Sequence, residues 1–440
     1  MWMRMLACVV AMSTALTTLA NSGRKESGKS TANRSVTLNK VETAKSVIEL
    51  REMGPEGLQQ FLEANHDALD TAVNSTDAEG RRLLLTLDSL CKQKDCFASR
   101  LYWYTDLEQA KKAAKASGKP ILSLRLLGRL DEDLSCANSR FFRVTLYAND
   151  AVSRVLRDDF ILHWESVRPV PKVTIDFGDG RKLERTLTGN SIHYVLDAEG
   201  RPVDALPGLY GPAAFLHELQ RSRQAFVSLN AAKDEADRIA ALRQYHQQRL
   251  AELESEFASD VRKAGLMTAP SRDLPPAADS APPSAQIAAR AAVAKSVAVE
   301  RPVLRGMSRQ PALLDSIATD PAWSRIAQLH AEDARLDQST RALMRFKNPS
   351  TYRDSLPGSS FQQAVSNLER AISEDTVRDE YIFHWRLHQW FASGQVFNDI
   401  ARLNEKVYSE LFLTPNWDPW LGLRPQGSYS ALDEDGVHKK

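Results

Sequence analysis

The sequence has almost no excess of charge of either sign. Its 440 residues carry 57 basic and 56 acidic side chains, which gives a formal net charge of +1. Such a balance supplies no long-range attraction toward nucleic acid or an anionic membrane, so no nucleic-acid partner is predicted. After the N-terminal segment, no stretch reaches about 18 consecutive apolar residues. The sequence therefore predicts no integral membrane segment once that first segment is removed.

Several common catalytic and cofactor-binding motifs are also missing. The sequence contains no Gly-x-x-x-x-Gly-Lys phosphate loop, no glycine-rich dinucleotide fingerprint and no Cys-x-x-Cys-His haem attachment site. It also lacks the Gly-x-Ser-x-Gly turn that carries the nucleophile of many hydrolases. These absences argue against the corresponding nucleotide, haem and serine-hydrolase classes, and no cofactor is predicted.

The first 20 residues have the pattern of an export signal. Arg4 is the only charge before the apolar run LACVVAMSTALTTLA, which ends in small residues at Thr18 and Ala20. A lipid-modified Cys8 is a competing interpretation, but the apolar stretch follows this cysteine instead of preceding it. We therefore predict a signal peptide over residues 1–20 and a periplasmic or secreted mature protein.

Cysteine is scarce, with four residues in the whole chain. Signal cleavage would leave Cys91, Cys96 and Cys136, and an odd number in an oxidising compartment leaves one thiol unpaired. Cys91 and Cys96 are close in sequence, so a disulfide between them is the simplest arrangement. Positions five apart on a regular helix point away from each other, so this pairing requires the helix to end or bend between them.

The hydrophobic period changes along the chain and divides it into regions. Near Leu101 a helical pattern gives way to alternating helices and strands in the order α-β-α-β-β-β-β-β-α, and residues 267–285 are rich in proline, alanine and serine. The predicted regions are an N-terminal helical region (21–98), an α/β domain (99–228), a helical extension (229–266), a Pro/Ala-rich linker (267–300) and a C-terminal helical domain (301–440).

Three features of the α/β domain carry a family resemblance. They are the segment DLEQAKKAAKASGKPILSL, a cysteine placed before a helix at Cys136, and the segment SIHYVLDAEGRPVDALPG followed by another helix. Over about residues 101–226 the chain resembles the exported branch of the thioredoxin-like superfamily. The resemblance implies a thioredoxin-like α/β fold flanked by mainly helical regions, a Cys-x-x-Ser site at Cys136 and Ser139, and a protein partner or protein substrate.

The chain departs from the family pattern at two places. Ser139 stands where dithiol members carry their second cysteine. The family also has a cis-proline before the third core strand, packed against the active cysteine, and the matching residues here are Asn190-Ser191-Ile192. Without a resolving thiol, attack of Cys136 on a disulfide would stop at the mixed disulfide.

Two functions from different classes follow for Cys136. A helix N-terminus and a nearby cation such as Arg140 lower the pKa of a thiol, which favours monothiol disulfide exchange or thiol-dependent binding. Alternatively, Cys136 is a buried apolar residue and the protein is a non-catalytic scaffold for interactions in the cell envelope.

His163 and His193, on neighbouring predicted strands, could line a pocket near the thiol and activate it. The plainer interpretation is two satisfied histidines at strand edges.

His384 and His388 in HWRLHQW are four residues apart, which places them on one helix face at a metal-ligand spacing. Trp385 takes the place of the glutamate in the His-Glu-x-x-His motif. The surrounding aromatic residues favour a packed helix face, so no metal site is predicted.

Overall fold

The computed structural model describes residues 40–75, 77–186, 189–273, 321–352, 358–394 and 399–415. The expected signal peptide and residues 274–300 of the expected linker lie outside these ranges. The chain divides into two compact units, one ending at Tyr102 and the other beginning at Trp103. Within the described ranges, no helix combines the length and the apolar character that crossing a bilayer would require.

The first unit is helical, as the sequence pattern predicts. Its helices are Lys40–Glu52 (α1), Pro55–Ala64 (α2), His66–Asn74 (α3), Ala78–Cys91 (α4) and Cys96–Ser99 (α5). The carboxylate of Asp77 caps α4 by accepting the Gly80 N–H at 2.6 Å, which satisfies one of the free donors at a helix start. Leu50, Phe61 and Leu87 are fully buried in the core of this unit.

The second unit is built on a four-stranded sheet. The strands of this unit are Ile121–Leu127 (β1), Ile161–Arg168 (β2), Lys172–Asp176 (β3), Lys182–Thr186 (β4), Ser191–Leu196 (β5) and Pro202–Pro207 (β6). The sheet has the order β2-β1-β5-β6. β1 is parallel to β2, β5 is antiparallel to β1, and β6 is antiparallel to β5. Every residue of β1 is buried, as in a strand covered on both faces.

Helices precede, connect and follow these strands. They are Leu107–Ser117 (α6), Ala137–Phe141 (α7), Asp150–Asp159 (α8), Pro212–Asn230 (α9) and Glu235–Lys263 (α10), with a π-helical segment at Phe142–Leu146. Gly118 ends α6 with a left-handed φ of 69°, which glycine adopts without steric cost. With α7, the π segment and α8 taken as one helical connection, the predicted order α-β-α-β-β-β-β-β-α is confirmed. The chain is a mixed α/β protein.

The remaining strands, β3 and β4, form a separate two-stranded antiparallel ribbon. The turn lies at Gly178-Asp179-Gly180, where both glycines have positive φ values of 75° and 90°. This is the hairpin that the sequence predicts. Most of its side chains are exposed, including Phe177 at 55%.

Further helices of the second unit follow the segment 274–320. They are Pro321–Leu329 (α11), Gln338–Lys347 (α12), Ser360–Arg378 (α13), Trp385–Ala392 (α14) and Ile400–Lys406 (α15). A π segment at Asp379–His384 joins α13 to α14, and another at Val407–Leu411 follows α15. Leu253 and Phe257 of α10 share a buried cluster with Trp323 of α11. The C-terminal helices therefore belong to the same compact unit as the sheet.

Candidate functional site

Cys136 ends the loop that leads from β1 into α7. Its backbone N–H donates to the carbonyl oxygen of Leu127, the last residue of β1, at 3.0 Å. The side chain has no exposed surface. α7 has five residues before the π segment Phe142–Leu146 begins. The thiol thus lies in the interior of the protein, at the start of a short helix.

Buried hydroxyl groups surround this thiol. Its Sγ lies 2.8 Å from the Oγ of Ser191, the first residue of β5. The hydroxyl of Ser139 lies 2.7 Å from Ser135 Oγ and 2.9 Å from the carbonyl oxygen of Cys136. Ser139 is therefore bonded within the start of its own helix, and Ser191 is the hydroxyl that contacts the thiol. Ser191 also lies at the position where the family resemblance places the cis-proline.

Arg140 follows Cys136 by one helical turn and interacts with it electrostatically. Burial lowers the pKa of this guanidinium, and the like charges of Arg143 and Arg185 act in the same direction. Because the ordinary pKa of arginine is above about 12, the group stays protonated. A cation therefore stands near the thiol.

His163 and His193 lie on opposite faces of the sheet. In the strand register His163 pairs with Ser123, and His193 pairs with Leu124. Successive residues of a strand point to opposite faces, so the two histidines do so as well. The structure does not bring them together in one pocket beside Cys136.

Each of these histidines has its own buried hydroxyl partner. His163 Nδ1 lies 2.9 Å from Ser123 Oγ, and His193 Nε2 lies 2.7 Å from the hydroxyl of Tyr147. Burial lowers the pKa of both histidines to about 3. Both are neutral at neutral pH, so neither supplies the cation that would activate a thiol. The geometry agrees with the plainer interpretation of two satisfied histidines.

C-terminal residues cover the start of β5 beside the thiol. The Tyr408 hydroxyl donates to the carbonyl oxygen of Asn190 at 3.0 Å, and the Asn190 amide donates to Thr414 Oγ1 at 2.8 Å. Burial raises the pKa of Tyr408 well above its ordinary value, and the neighbouring Cys136 adds to the shift. Residues far along the chain thus help to enclose the candidate thiol site.

In the first unit, Cys91 and Cys96 form a disulfide with their α-carbons 6.3 Å apart. α4 ends at Cys91, and Lys92 adopts a left-handed conformation with φ 57°. The helix therefore stops between the two cysteines, as the pairing requires. The Asp88 carboxylate accepts the Cys96 N–H at 2.9 Å. Cys136 is the free cysteine of the described residues.

A second group of buried titratable side chains lies where β6 meets α10 and the helix from α13 to α14. Its members are Asp204, His246, Glu380, His384 and His388. Asp204 and the three histidines each expose 1% or less of their surface. The rings of His384 and His388 have centroids 4.2 Å apart, so they share a face as predicted. Asp204 is not among the site residues predicted from the sequence, although a charged residue within the buried strand PVDALP is an unusual signal.

Charges within this group control its protonation. Burial opposes the charged form of His384, but Glu380 and Asp204 outweigh burial and raise the pKa of His384 to about 10. Burial likewise opposes the charged form of Asp204, but the neighbouring histidines, His384 first, hold the pKa of Asp204 well below its usual range. The group can therefore hold a proton or another cation between its two carboxylates.

A cavity of about 600 Å³ adjoins this group, and its wall contains Glu380 of the group together with Glu218. The guanidinium of Arg249 lies 3.2 Å from Glu218 and 2.6 Å from Glu380. Burial and the charge of Glu380 raise the pKa of Glu218 to about 8. Burial opposes ionisation of Glu380 too, but His384 and Arg249 lower its pKa to about 2. The cavity wall thus pairs a carboxylic acid with a carboxylate, an arrangement that can give and take a proton.

No protein-family model, no curated protein and no solved structure matches this chain. Residues and geometry alone therefore carry the functional proposal.

Proposed function

We propose that the chain is an exported thioredoxin-like protein that acts as a non-catalytic scaffold for protein interactions in the cell envelope. The strand order supports the fold assignment. A parallel pair, β1 and β2, is joined by a helical connection that begins at Cys136, and the antiparallel pair β5 and β6 is followed by α9. The contact between Ser191 and Cys136 supports β5 as the third core strand of such a fold.

The complete burial of Cys136 carries the functional proposal. Thiol–disulfide exchange requires a thiolate that can approach a disulfide sulfur of the partner. The Cys136 side chain has no exposed surface, and its Sγ is already hydrogen-bonded to the hydroxyl of Ser191. Ser139 offers no resolving thiol. A scaffold that retains the fold and uses its cysteine for packing fits these observations better than a redox catalyst does.

Monothiol exchange is the second candidate, and Arg140 is the observation that favours it. Its cationic side chain interacts with Cys136 and would stabilise a thiolate. In this reaction the Cys136 thiolate would attack one sulfur of a partner disulfide, and the other sulfur would leave as a thiolate. The product would be a stable mixed disulfide with the partner.

Alkylation of the folded protein distinguishes the two candidates. We expect iodoacetamide at pH 7 to leave Cys136 unmodified in the folded chain and to modify it fully in guanidinium chloride, as measured by mass spectrometry. The denatured sample is the control for reagent and detection. Rapid modification of folded protein at pH 7 would instead support monothiol exchange.

A second experiment tests the interactions themselves. We expect a lysine-reactive cross-linker applied to intact cells to join the same partners to wild-type protein and to a folded Cys136→Ala variant. Recovery of partners with wild type alone, and only when the cells are not reduced before cross-linking, would show thiol-dependent binding. Recovery of no partner with either protein would contradict the scaffold proposal.

A further inference from the structure

The carbonyl oxygen of Val203 fixes the tautomers of two buried histidines. His246 Nε2 lies 3.1 Å from this oxygen, which can only accept, so Nε2 carries the hydrogen. With the hydrogen of the neutral imidazole on Nε2, the other ring nitrogen, Nδ1, carries a lone pair. His388 Nδ1 lies 2.7 Å from His246 Nδ1 and must donate its hydrogen to the lone pair there.

This chain of hydrogen bonds leaves His388 with an unused lone pair. A neutral imidazole carries one ring hydrogen, and in His388 that hydrogen lies on Nδ1, so Nε2 keeps its lone pair. Within the described part of the chain, Nε2 is buried and has no hydrogen-bond partner. An unsatisfied buried acceptor destabilises the folded state, so a fold does not readily keep one without a ligand.

His384 and Asp204 bring two further ligand atoms to the same place. His384 Nδ1 lies 3.0 Å from Glu380 Oε2, while His384 Nε2 lies 3.4 Å from Asp204 Oδ1. The second distance is long for a charge-assisted hydrogen bond, which is usually about 2.7–2.9 Å. It matches two ligands of one tetrahedral ion, because metal–ligand bonds of about 2.0–2.1 Å place them about 3.4 Å apart.

Asp204 is held in place by three donors of its own. Its Oδ2 accepts hydrogen bonds from the hydroxyls of Ser222 at 2.9 Å and Tyr245 at 2.5 Å, and its Oδ1 accepts the Ala205 N–H at 2.9 Å. Metal-binding side chains are typically oriented by such outer contacts. His246 does the same for His388, and Glu380 does it for His384.

We propose that Asp204, His384 and His388 bind one zinc ion. Their ligand atoms lie within 4.8 Å of one another, and two imidazole nitrogens with one carboxylate oxygen are a zinc-binding set. A water molecule takes the fourth tetrahedral position. The ion links β6 to the helix that carries both histidines. This assignment replaces the sequence interpretation of His384 and His388 as a packed helix face alone.

A second set, Glu218, Glu380 and His384, lies equally close together. There the guanidinium of Arg249 already supplies a cation to both glutamates, at 3.2 Å and 2.6 Å. Among the described residues, no guanidinium or other donor lies within hydrogen-bond distance of His388 Nε2. The geometry therefore favours the set that contains Asp204 and His388.

Metal binding by the untagged full chain tests the assignment. We expect elemental analysis to find one zinc ion per chain, and the chelated protein to bind one cobalt(II) ion with the visible absorption of tetrahedral cobalt. His388→Gln should weaken cobalt binding at least 100-fold because it removes a ligand. His246→Gln should weaken it about 10- to 100-fold because it removes the partner that orients His388.

Two variants serve as matched controls. His330→Gln replaces a histidine outside the group, and Glu218→Gln disrupts the alternative set, and both should keep the cobalt spectrum. Loss of the spectrum in Glu218→Gln but not in His388→Gln would overturn the ligand assignment. If His388→Gln does not fold, two measurements on the wild-type protein test the proposal. Addition of zinc to chelated wild type should raise its melting temperature, and the absence of both this rise and the cobalt spectrum would overturn the proposal.

Discussion

At the scale of single residues, surroundings decide the chemistry more than residue type does. The three cysteines have the same side chain, yet Cys136 is a free thiol enclosed by hydroxyls, while Cys91 and Cys96 are oxidised to a disulfide. Residue spacing predicts the Cys91–Cys96 pairing, because it depends on a local helix end. Cys136 is enclosed partly by Tyr408, which lies far along the chain. Residue spacing therefore could not decide whether Cys136 is a reactive thiol or a buried apolar residue.

Gly208 is a residue whose replacement should be severe. It has a left-handed φ of 82°, and an added Cβ would lie 2.1 Å from a carboxylate oxygen of buried Asp379. That carboxylate also accepts the Leu209 N–H at 2.6 Å, so it cannot move freely. We expect Gly208→Ala to lower the free energy of unfolding by about 3 kcal/mol or more, measured by urea denaturation.

Gly118→Ala is the matched control for this prediction. Gly118 has a similar φ of 69°, but an added Cβ there would meet nothing within 4 Å. The control should therefore show only the backbone cost of a left-handed residue, about 1–2 kcal/mol. Equal losses in the two variants would show that the contact with Asp379 is not limiting.

At the scale of secondary-structure elements, local signals explain what the sequence could predict. The turn at Gly178-Asp179-Gly180 and the helix end at Gly118 both need residues with positive φ, which glycine supplies. Both lie where the sequence predicts them. The three π-helical segments that lie within the described ranges were not predicted. A π turn adds one residue to a helical turn without a distinctive sequence signal. The π segment Asp379–His384 is important because it carries His384, a proposed zinc ligand, and Glu380, which orients His384.

The Cys91–Cys96 disulfide should stabilise the end of α4. We expect the double variant Cys91→Ala/Cys96→Ala to lose about 2 kcal/mol or less of unfolding free energy in the first unit, since the closed ring is small. Urea denaturation followed by circular dichroism measures this loss.

A non-reduced peptide map tests the pairing separately. It should contain a linked Cys91–Cys96 peptide, with Cys136 labelled only after denaturation. Cys136→Ala, which should leave the linked peptide unchanged, is the control. A peptide joining Cys136 to either of the other cysteines would contradict the assignment.

At the scale of the whole molecule, the interactions that matter join distant parts of the sequence. The proposed metal group combines one strand residue with two histidines from the helix formed by α13 and α14. Sequence spacing revealed the His384 and His388 pair because they are neighbours on one helix. It could not reveal Asp204 or His246, because their positions follow from how β6 and α10 pack against that helix.

His330 makes another long-range connection, between α10 and the segment after α11. Its Nε2 lies 2.7 Å from Asp260 and its Nδ1 lies 3.1 Å from Asp333. The hydrogen bond to Asp260, with that to Asp333, raises the pKa of His330 to about 9 from an ordinary value of 6.5. A protonated His330 therefore stabilises the folded state more than a neutral one does.

The sign of this linkage predicts how stability changes with pH. His330 contributes fully below about pH 6.5, where it is protonated in both states, and the contribution disappears as pH rises through about 9. We expect wild type to exceed His330→Gln by about 2 kcal/mol in unfolding free energy at pH 6, with most of the difference lost at pH 10. Groups that titrate equally in both proteins cancel in the difference, which urea denaturation at each pH supplies. A difference that is the same at pH 6 and pH 10 would mean that His330 acts without its charge.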